Sequence, residues 1–591
     1  MASRSKASAQ ADEWGRLGVN AARNGEALLA RGYLARAIEA DRRNPAHRLN
    51  LAIVFESQGM LAEAASLLAE TLALVPDTFD AADRLSSLLS RYTLEDPRQL
   101  DAHGLRAALA FDRTDRQAVG EVALARLKQD GLVGDAATAG QLARRTPDAL
   151  RNDLLLAALA TTVNKDAGIE TWLTGLRRTL LIETPPERFE ERGLQAFALA
   201  MVRQVLLNEH VWPETIAETE ALTALVLDPA RLLDGDAEMG RRLMLALLYR
   251  PLAGLLPAGT KADDLARVRP KALRELILEE WREREAEQKL AASIPRVAPI
   301  VDDTSRRVQA QYEAAPYPRW RSLRLPRPGA IPRALGRFLP ADDLPRFSDA
   351  CDVLIVGAGT GRQALQSAAG YGKAARIAAV DLSATSLAYA MRKASHFGVS
   401  NITFRQADLL VLHPAAAQYD VVECVGVLHH MADPWVGLTR VASLMKPGGI
   451  AYLGLYSAAA RKEITALRQA PGYPGPECSD GEARLYRKSL LDGQDGARFA
   501  QSKDFYSLSE FRDLVLHASE QPLTLADIAT NLERLGLTFL GFTLDADGEA
   551  KYAAAYPDER FPGTLEHWIA LEAANPHVFD AMYRFWVRKA P

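Results

Sequence analysis

The sequence predicts a multidomain protein with two unlike halves, an all-helical N-terminal half and an α/β C-terminal half built on a parallel sheet. Three observations predict this. Residues 12–97 repeat a helix pair. Residues 98–290 keep helical spacing of apolar residues without a repeat. From residue 351 the pattern changes to short runs of β-formers broken by glycine turns.

The first of those runs is the most informative. Asp352-Val353-Leu354-Ile355-Val356 reads as a buried strand, and Gly357, Gly359 and Gly361 follow at alternate positions. Glycine there allows a sharp turn and lets backbone N–H groups approach a ligand with no Cβ in the way. Val380-Asp381-Leu382, 20 residues beyond Gly361, reads as a second strand ending in a carboxylate. Strand, glycine turn, helix, strand and acid make a nucleotide-binding βαβ unit, in which the acid bonds ribose hydroxyls. The spacing is G-x-G-x-G, not the G-x-G-x-x-G that aims a helix at a pyrophosphate.

This pattern resembles the first motif of class I S-adenosylmethionine methyltransferases. Later segments resemble the family in order. Phe404 to Leu409 resembles the strand end that binds the adenine. Tyr419 to His430 resembles the fourth strand and its loop. Met445-Lys446-Pro447-Gly448-Gly449 resembles the turn before a fifth strand, Ile450 to Tyr456. Leu537 to Leu544 and Tyr583 to Arg588 suit a sixth and a seventh strand, the last antiparallel. The resemblance covers residues 300–591 and implies a seven-stranded, Rossmann-like domain with S-adenosylmethionine as cofactor. It implies cofactor contacts from Gly357, Gly359, Gly361, Asp381, Leu382, Asp408, Leu409 and Glu423. Insertions at about 458–523 and 545–580 interrupt the domain, and insertions after the carboxyl ends of strands fall over a ligand crevice.

The bulk numbers exclude some classes. The 591 residues suffice for two to four domains. A net charge of −4, from 71 basic and 75 acidic residues, argues against a dedicated nucleic-acid binder. Cys351, Cys424 and Cys478 show neither disulfide nor metal spacing, and no metal constellation is visible. No secretory h-region and no long apolar run are present, so no membrane association and a cytoplasmic location are expected.

In the N-terminal half, residues 1–11 are expected to be a flexible tail. Leu51, Ala52, Phe55, Gly59, Ala64, Leu68 and Pro76 resemble the tetratricopeptide (TPR) pattern, a unit of about 34 residues. Trp14, Leu17, Gly18, Asn44 and Pro45 make a looser copy; a plain helical bundle is the alternative. The resemblance implies a solenoid that binds peptides or proteins. Residues 98–290 form a separate helical domain, in which 208–212 and 248–252 either face a substrate or end helices against a neighbour. Glu279 to Lys289 reads as a solvated charged connector.

Residues 291–350 are a linker and an N-terminal lid. A helix over 305–314 runs into Pro316-Tyr317-Pro318-Arg319-Trp320. Tyr312, Tyr317 and Arg319 there close the cofactor pocket, their rings attracting a sulfonium, or Trp320 plugs a structural corner. His429 and His430 follow the fourth strand, where the family faces the methyl group. Either is the general base or only packs near the cofactor. Asp513 and His517 share a face if helical, as an oriented base or a surface ion pair. Tyr456 is a further catalytic candidate. The expected function is methylation of a protein or peptide held by the helical half. The rivals are a small-molecule O- or C-methyltransferase, and a scaffold that binds cofactor without turnover. The sequence does not set the oligomeric state.

Overall fold

The computed structural model describes residues 2–135, 137–348, 350–413, 419–559, 561–579 and 581–591. It divides into two compact units. The first comprises Met1–Trp281, Trp320–Arg324 and Leu490–Leu508; the second comprises Arg282–Arg319, Leu325–Ser489 and Ser509–Pro591. Both halves of the helical region therefore lie in one unit, which also takes in parts of the lid segment and of the first insertion.

The helical unit begins with α1 (Ala2–Arg23), α2 (Ala27–Ala40), α3 (Pro45–Ser57), α4 (Leu61–Leu74) and α5 (Phe79–Leu89). Each packs on the next in chain order. Helix α1 runs through the stretch expected as a flexible tail, where alanine favours helix. Small residues let the helices close. A Cβ on Gly18 would stand 2.6 Å from the Leu34 side chain. Gly59, at φ +75°, makes the left-handed turn between α3 and α4.

The polar segments at 208–212 and 248–252 are interior in this unit. Arg177 and Glu218 are buried. The Arg177 guanidinium lies 4.1 Å from the Tyr249 ring centroid and bonds the Pro213 carbonyl at 2.6 Å. Tyr249 donates to Glu218 Oε1 at 2.7 Å. His210 bonds the Leu247 carbonyl at 3.0 Å. These groups pair with one another, as buried charge requires, although Arg177 Nε and Asn208 Oδ1 are left without a hydrogen-bond partner.

The α/β unit holds one seven-stranded sheet in the order β3-β2-β1-β4-β5-β7-β6. Its strands are β1 (Asp352–Val356), β2 (Arg376–Asp381), β3 (Ile402–Gln406), β4 (Tyr419–Val425), β5 (Met445–Tyr456), β6 (Leu537–Phe542) and β7 (Met582–Lys589). Strands β1 to β5 pair in parallel, and β7 runs antiparallel to both neighbours. The expected turn at 445–449 lies inside β5, where the register to β4 shifts between Tyr419 and Val421. Apolar clusters cover both sheet faces.

The two insertions part company. Residues 545–580 supply helices Ala546–Ala555 and Leu565–Ala574, whose buried Tyr552 and Trp568 pack with Phe542 and Tyr583. That insertion is core of the β6–β7 side, not a cover over a crevice. The charged run 279–289 belongs to the helix Lys271–Ser293. It is not wholly solvated, since Glu283 and Glu287 each meet Arg392 at 2.8 Å.

Candidate active site

The glycine turn joins β1 to the helix Arg362–Tyr371. Gly357, Gly359 and Gly361 have φ of +70°, +52° and +84°. A Cβ on Gly357 would meet Val427 Cγ2 at 2.2 Å, so that position tolerates only glycine. Gly357 and Ala358 both donate to the Val380 carbonyl, at 2.9 and 3.0 Å. Asp381 closes the arrangement: Oδ2 accepts from Gly359 N and Oδ1 from Ser383 N, each at 2.8 Å. Burial pushes the Asp381 carboxyl up to about 6; the Ser383 and Gly359 N–H bonds oppose the rise and the Glu313 carboxylate adds to it.

The lead segment crosses the carboxyl ends of β3, β2 and β1 in turn. Val297 N donates to the Gln406 carbonyl at 2.9 Å and Gln406 N to the Pro295 carbonyl at 2.9 Å. The helix Asp303–Ala314 follows. Glu313 accepts from Ala384 N and Thr385 N at 2.8 and 3.0 Å, which places a carboxylate at the positive end of the helix Ala384–Phe397. The Tyr317 carbonyl oxygen then comes within 3.1 Å of where a Cβ on Gly359 would stand. Tyr317 thus meets the turn with its backbone. Arg319 turns elsewhere, 3.7 Å from Glu287 and 5.7 Å from the Tyr389 ring centroid. Trp320 is buried and belongs to the helical unit.

Other expected cofactor positions have partners of their own. Asp408 is buried and accepts from Leu410 N at 2.9 Å. The Leu382 carbonyl accepts from Gln406 Nε2 at 2.8 Å, and Leu409 is a core residue. Glu423 faces the helix Arg362–Tyr371. Its Oε2 accepts from Gln363 Nε2 at 2.8 Å and Ser367 Oγ at 2.7 Å, both on the helix after the glycine turn. It ties that helix to β4, and burial raises its carboxyl.

Beyond β4 the structure gathers residues from four segments. His429 and His430 lie in the turn Leu428–His430, and Tyr456 ends β5. Asp513 sits in the helix Leu508–Val515, and His517 just past its end. Asp513 and His517 are therefore not a surface i,i+4 pair. Both are buried and meet through Tyr312, 2.7 Å from Asp513 Oδ1 and 3.1 Å from His517 Nε2. The His429 ring stacks on Tyr456 at 3.9 Å, and the His430 ring on His517 at 3.6 Å.

Backbone groups fix which nitrogen of each imidazole carries the proton. A backbone N–H can only donate and a carbonyl only accept. Tyr456 N donates to His429 Nδ1 at 3.2 Å, so neutral His429 is protonated on Nε2. Ser519 N donates to His517 Nδ1 at 3.1 Å, so neutral His517 is also protonated on Nε2, and that proton faces Tyr312. The Tyr312 proton then goes to Asp513. His430 Nδ1 meets the Ser519 carbonyl at 2.8 Å, so His430 is protonated on Nδ1 and keeps its lone pair on Nε2. Burial holds all three imidazoles neutral. It takes His430 down to about 4 and the other two well below the ordinary histidine range, and neighbouring imidazoles add to the effect there.

His430, Asp513 and His517 also form a set of metal-type ligands, one atom from each lying within 4.8 Å of the others. The sequence hides this set because His430 lies far along the chain from Asp513 and His517. The proton on His517 Nε2 wires the set as a hydrogen-bond relay. Sequence reading also missed Ser519, Arg461 and Glu520. Arg461 and Glu520 form a buried ion pair, Nε to Oε1 at 2.8 Å, which Arg468 joins at 2.9 Å. The Arg461 guanidinium lies 4.2 Å from the Tyr456 ring centroid.

Residues 353–449 match the methyltransferase domain family. Over that stretch the chain is similar to a methyltransferase domain. An uncharacterized protein of Synechococcus sp. is 31% identical over 267 residues, 42% of this chain and 62% of that one. An arsenite methyltransferase of Aquipseudomonas alcaligenes is 33% identical over 145 residues, 23% of this chain and 41% of that one. The chain thus spans less than two thirds of the length of either. The solved structure of PKMT2 from Rickettsia typhi aligns with TM-score 0.34 and 17% identity, over 44% of this chain and 54% of that one.

Proposed function

We propose that this protein transfers the methyl group of S-adenosylmethionine to a protein or peptide recruited by its helical unit. The observation that carries the enzymatic part is the bond from Gly359 N to Asp381 Oδ2 at 2.8 Å. It holds the acid at the end of β2 against the glycine turn after β1, where a ribose and the methionine part of the cofactor would lie together. S-adenosylmethionine is already activated, so the protein has to position the acceptor in line and receive its proton. The recruiting part rests on α1 to α4, whose TPR-like helix pairs suit peptide binding.

A second reading has its own support. His429 is fully buried and His430 is 6% exposed, a degree of enclosure that suits a small nucleophile. On that reading the helical unit serves assembly. A scaffold without turnover is disfavoured by the intact glycines and Asp381.

The test gives the full chain methyl-labelled S-adenosylmethionine with cell extract and separates products by size and protease sensitivity. Label in large, protease-sensitive material is expected. Label in small, extractable material would transfer the conclusion to the second reading. Binding of the cofactor without label would favour the scaffold.

A further inference from the structure

We propose that His430, and not His429, takes the acceptor's proton, and that the acceptor is a neutral oxygen nucleophile of the phenol or enol type. This rests on the methyltransferase reading above. His429 has no lone pair to offer, because its Nδ1 receives Tyr456 N–H and its Nε2 carries the proton. His517 is in the same state, with Ser519 N–H on Nδ1. His430 alone of the three is turned over, since it gives its Nδ1 proton to the Ser519 carbonyl. One residue, Ser519, therefore sets opposite tautomers in two rings that stack at 3.6 Å.

Burial keeps His430 neutral, so its Nε2 lone pair stands ready and a proton taken there is held only in passing. The stacked His517 ring passes its own Nε2–H to Tyr312, and Tyr312 passes its proton to the Asp513 carboxylate. An imidazolium at His430 would thus have a π-face beneath it and a carboxylate at the end of the relay. Asp513, Tyr312, His517 and Ser519 are positioning residues in this scheme, acting through His430. The other groups that face the cluster are His429 and Tyr456 on one side, with Glu520, Arg461 and Arg468 behind. Asp513 and Glu520 against Arg461 and Arg468 leave no net charge to attract an ammonium.

The step balances without a co-reactant beyond the cofactor. The acceptor O–H proton moves to His430 Nε2 as the oxygen lone pair attacks the methyl carbon. The carbon–sulfur bond breaks with its pair on sulfur, giving S-adenosylhomocysteine, the O-methyl product and an imidazolium that releases its proton to solvent. A neutral amine is nucleophilic without prior loss of a proton and would need no such base.

Two measurements test this on the full chain. Long-range nitrogen–proton NMR of histidine should show His430 as the Nδ1–H tautomer, and His429 and His517 as Nε2–H. His430 found as Nε2–H would overturn the proposal. In the labelling assay with extract, H430Q should lose about 100-fold or more, the usual scale of a general base, while H429Q loses less. The residual H430Q rate should rise tenfold per pH unit, since only ionised acceptor would react; a merely structural role would not give that slope. Cofactor affinity of H430Q, measured by calorimetry, should stay within a few-fold of the parent, and its thermal transition should remain cooperative. If H430Q misfolds, H430N takes its place. Full label transfer by the variant, or transfer by the parent to amine acceptors only, would sink the assignment. Failure of the parent to bind S-adenosylmethionine would sink the methyltransferase reading and leave the tautomers standing.

Discussion

His517 Nε2 lies 3.1 Å from the hydroxyl of Tyr312, although 205 residues separate them in the chain. The contact joins the segment before β1 to the insertion after β5, and the Asp513 carboxylate extends it by 2.7 Å. Tyr312 is held far above its usual range by burial and by Asp513, so its proton stays in place.

Tyr312→Phe should therefore act as more than a ring-preserving change. It keeps the packing but leaves His517 Nε2–H and Asp513 each short of a buried partner. Such a loss costs about 1–3 kcal/mol, visible as a lower midpoint in urea. Tyr317 meets the glycine turn through its carbonyl, which Tyr317→Phe leaves in place. If both variants kept parental cofactor affinity and turnover, the lid role of the lead segment would be wrong.

Asp381 should make cofactor binding depend on pH. Its carboxyl sits at about 6, and the ionised form is the one that can accept from ribose hydroxyls while holding Gly359 N and Ser383 N. Affinity should be flat above pH 7 and fall as pH drops below 6, approaching tenfold per unit. Asp381→Ala should weaken binding roughly tenfold or more and abolish that dependence, since a charged hydrogen bond contributes about 1.5–3 kcal/mol. Calorimetry across pH 5 to 8 decides it. A parental affinity that ignores pH would mean the acid does not touch the ligand.

The histidine cluster should make the α/β unit acid-labile. His430 is at about 4 folded against 6.5 for the free side chain. Its contribution is fully present above pH 6.5 and is lost as pH falls toward 4, because the unfolded chain takes a proton that the folded one refuses. The difference amounts to about 3 kcal/mol, and His429 and His517 act in the same direction. Asp381, raised when folded, opposes this between pH 6 and 3.8. Denaturant midpoints should drop between pH 7.5 and 5, and drop less in His430→Gln. Equal slopes in parent and variant would show that His430 titrates freely.

The sheet was legible in the sequence because its signals are local. A β-branched run followed by glycines, and an acid at the end of the next strand, each occupy a few residues. Gly357 and Asp381 could be assigned from neighbours alone. The histidine cluster was half legible: His429 and His430 follow a recognisable strand, but nothing near them names Tyr312 or Ser519. The bonds of Glu423 to Gln363 and Ser367 were not legible, because helix packing alone brings those partners to it. The boundary near residue 290 was read from composition, and the compact units divide at Trp281. A composition change marks where the charge pattern ends, and says nothing of distant segments such as 490–508 that fold with the first unit.

That last segment predicts how the chain can be cut. Leu490–Leu508 belongs to the helical unit, where Lys503 Nζ meets Glu121 at 3.1 Å and Leu508 N donates to the Asn208 carbonyl at 3.2 Å. Phe505 and Tyr506 are buried at 0% and 1% exposure. A fragment starting at residue 282 keeps this segment but loses Glu121 and Asn208. Any burial of Phe505 and Tyr506 that residues 1–281 supply is then lost, at up to about 1.5–3 kcal/mol for each side chain. The fragment 282–591 should bind a hydrophobic dye and aggregate. The same fragment with 490–508 replaced by a short Gly-Ser linker should stay monomeric and melt cooperatively, provided the linker spans the gap. A cooperative melt from the unmodified fragment would mean that 490–508 packs equally well without residues 1–281, and that the helical unit can be removed to test substrate recruitment directly.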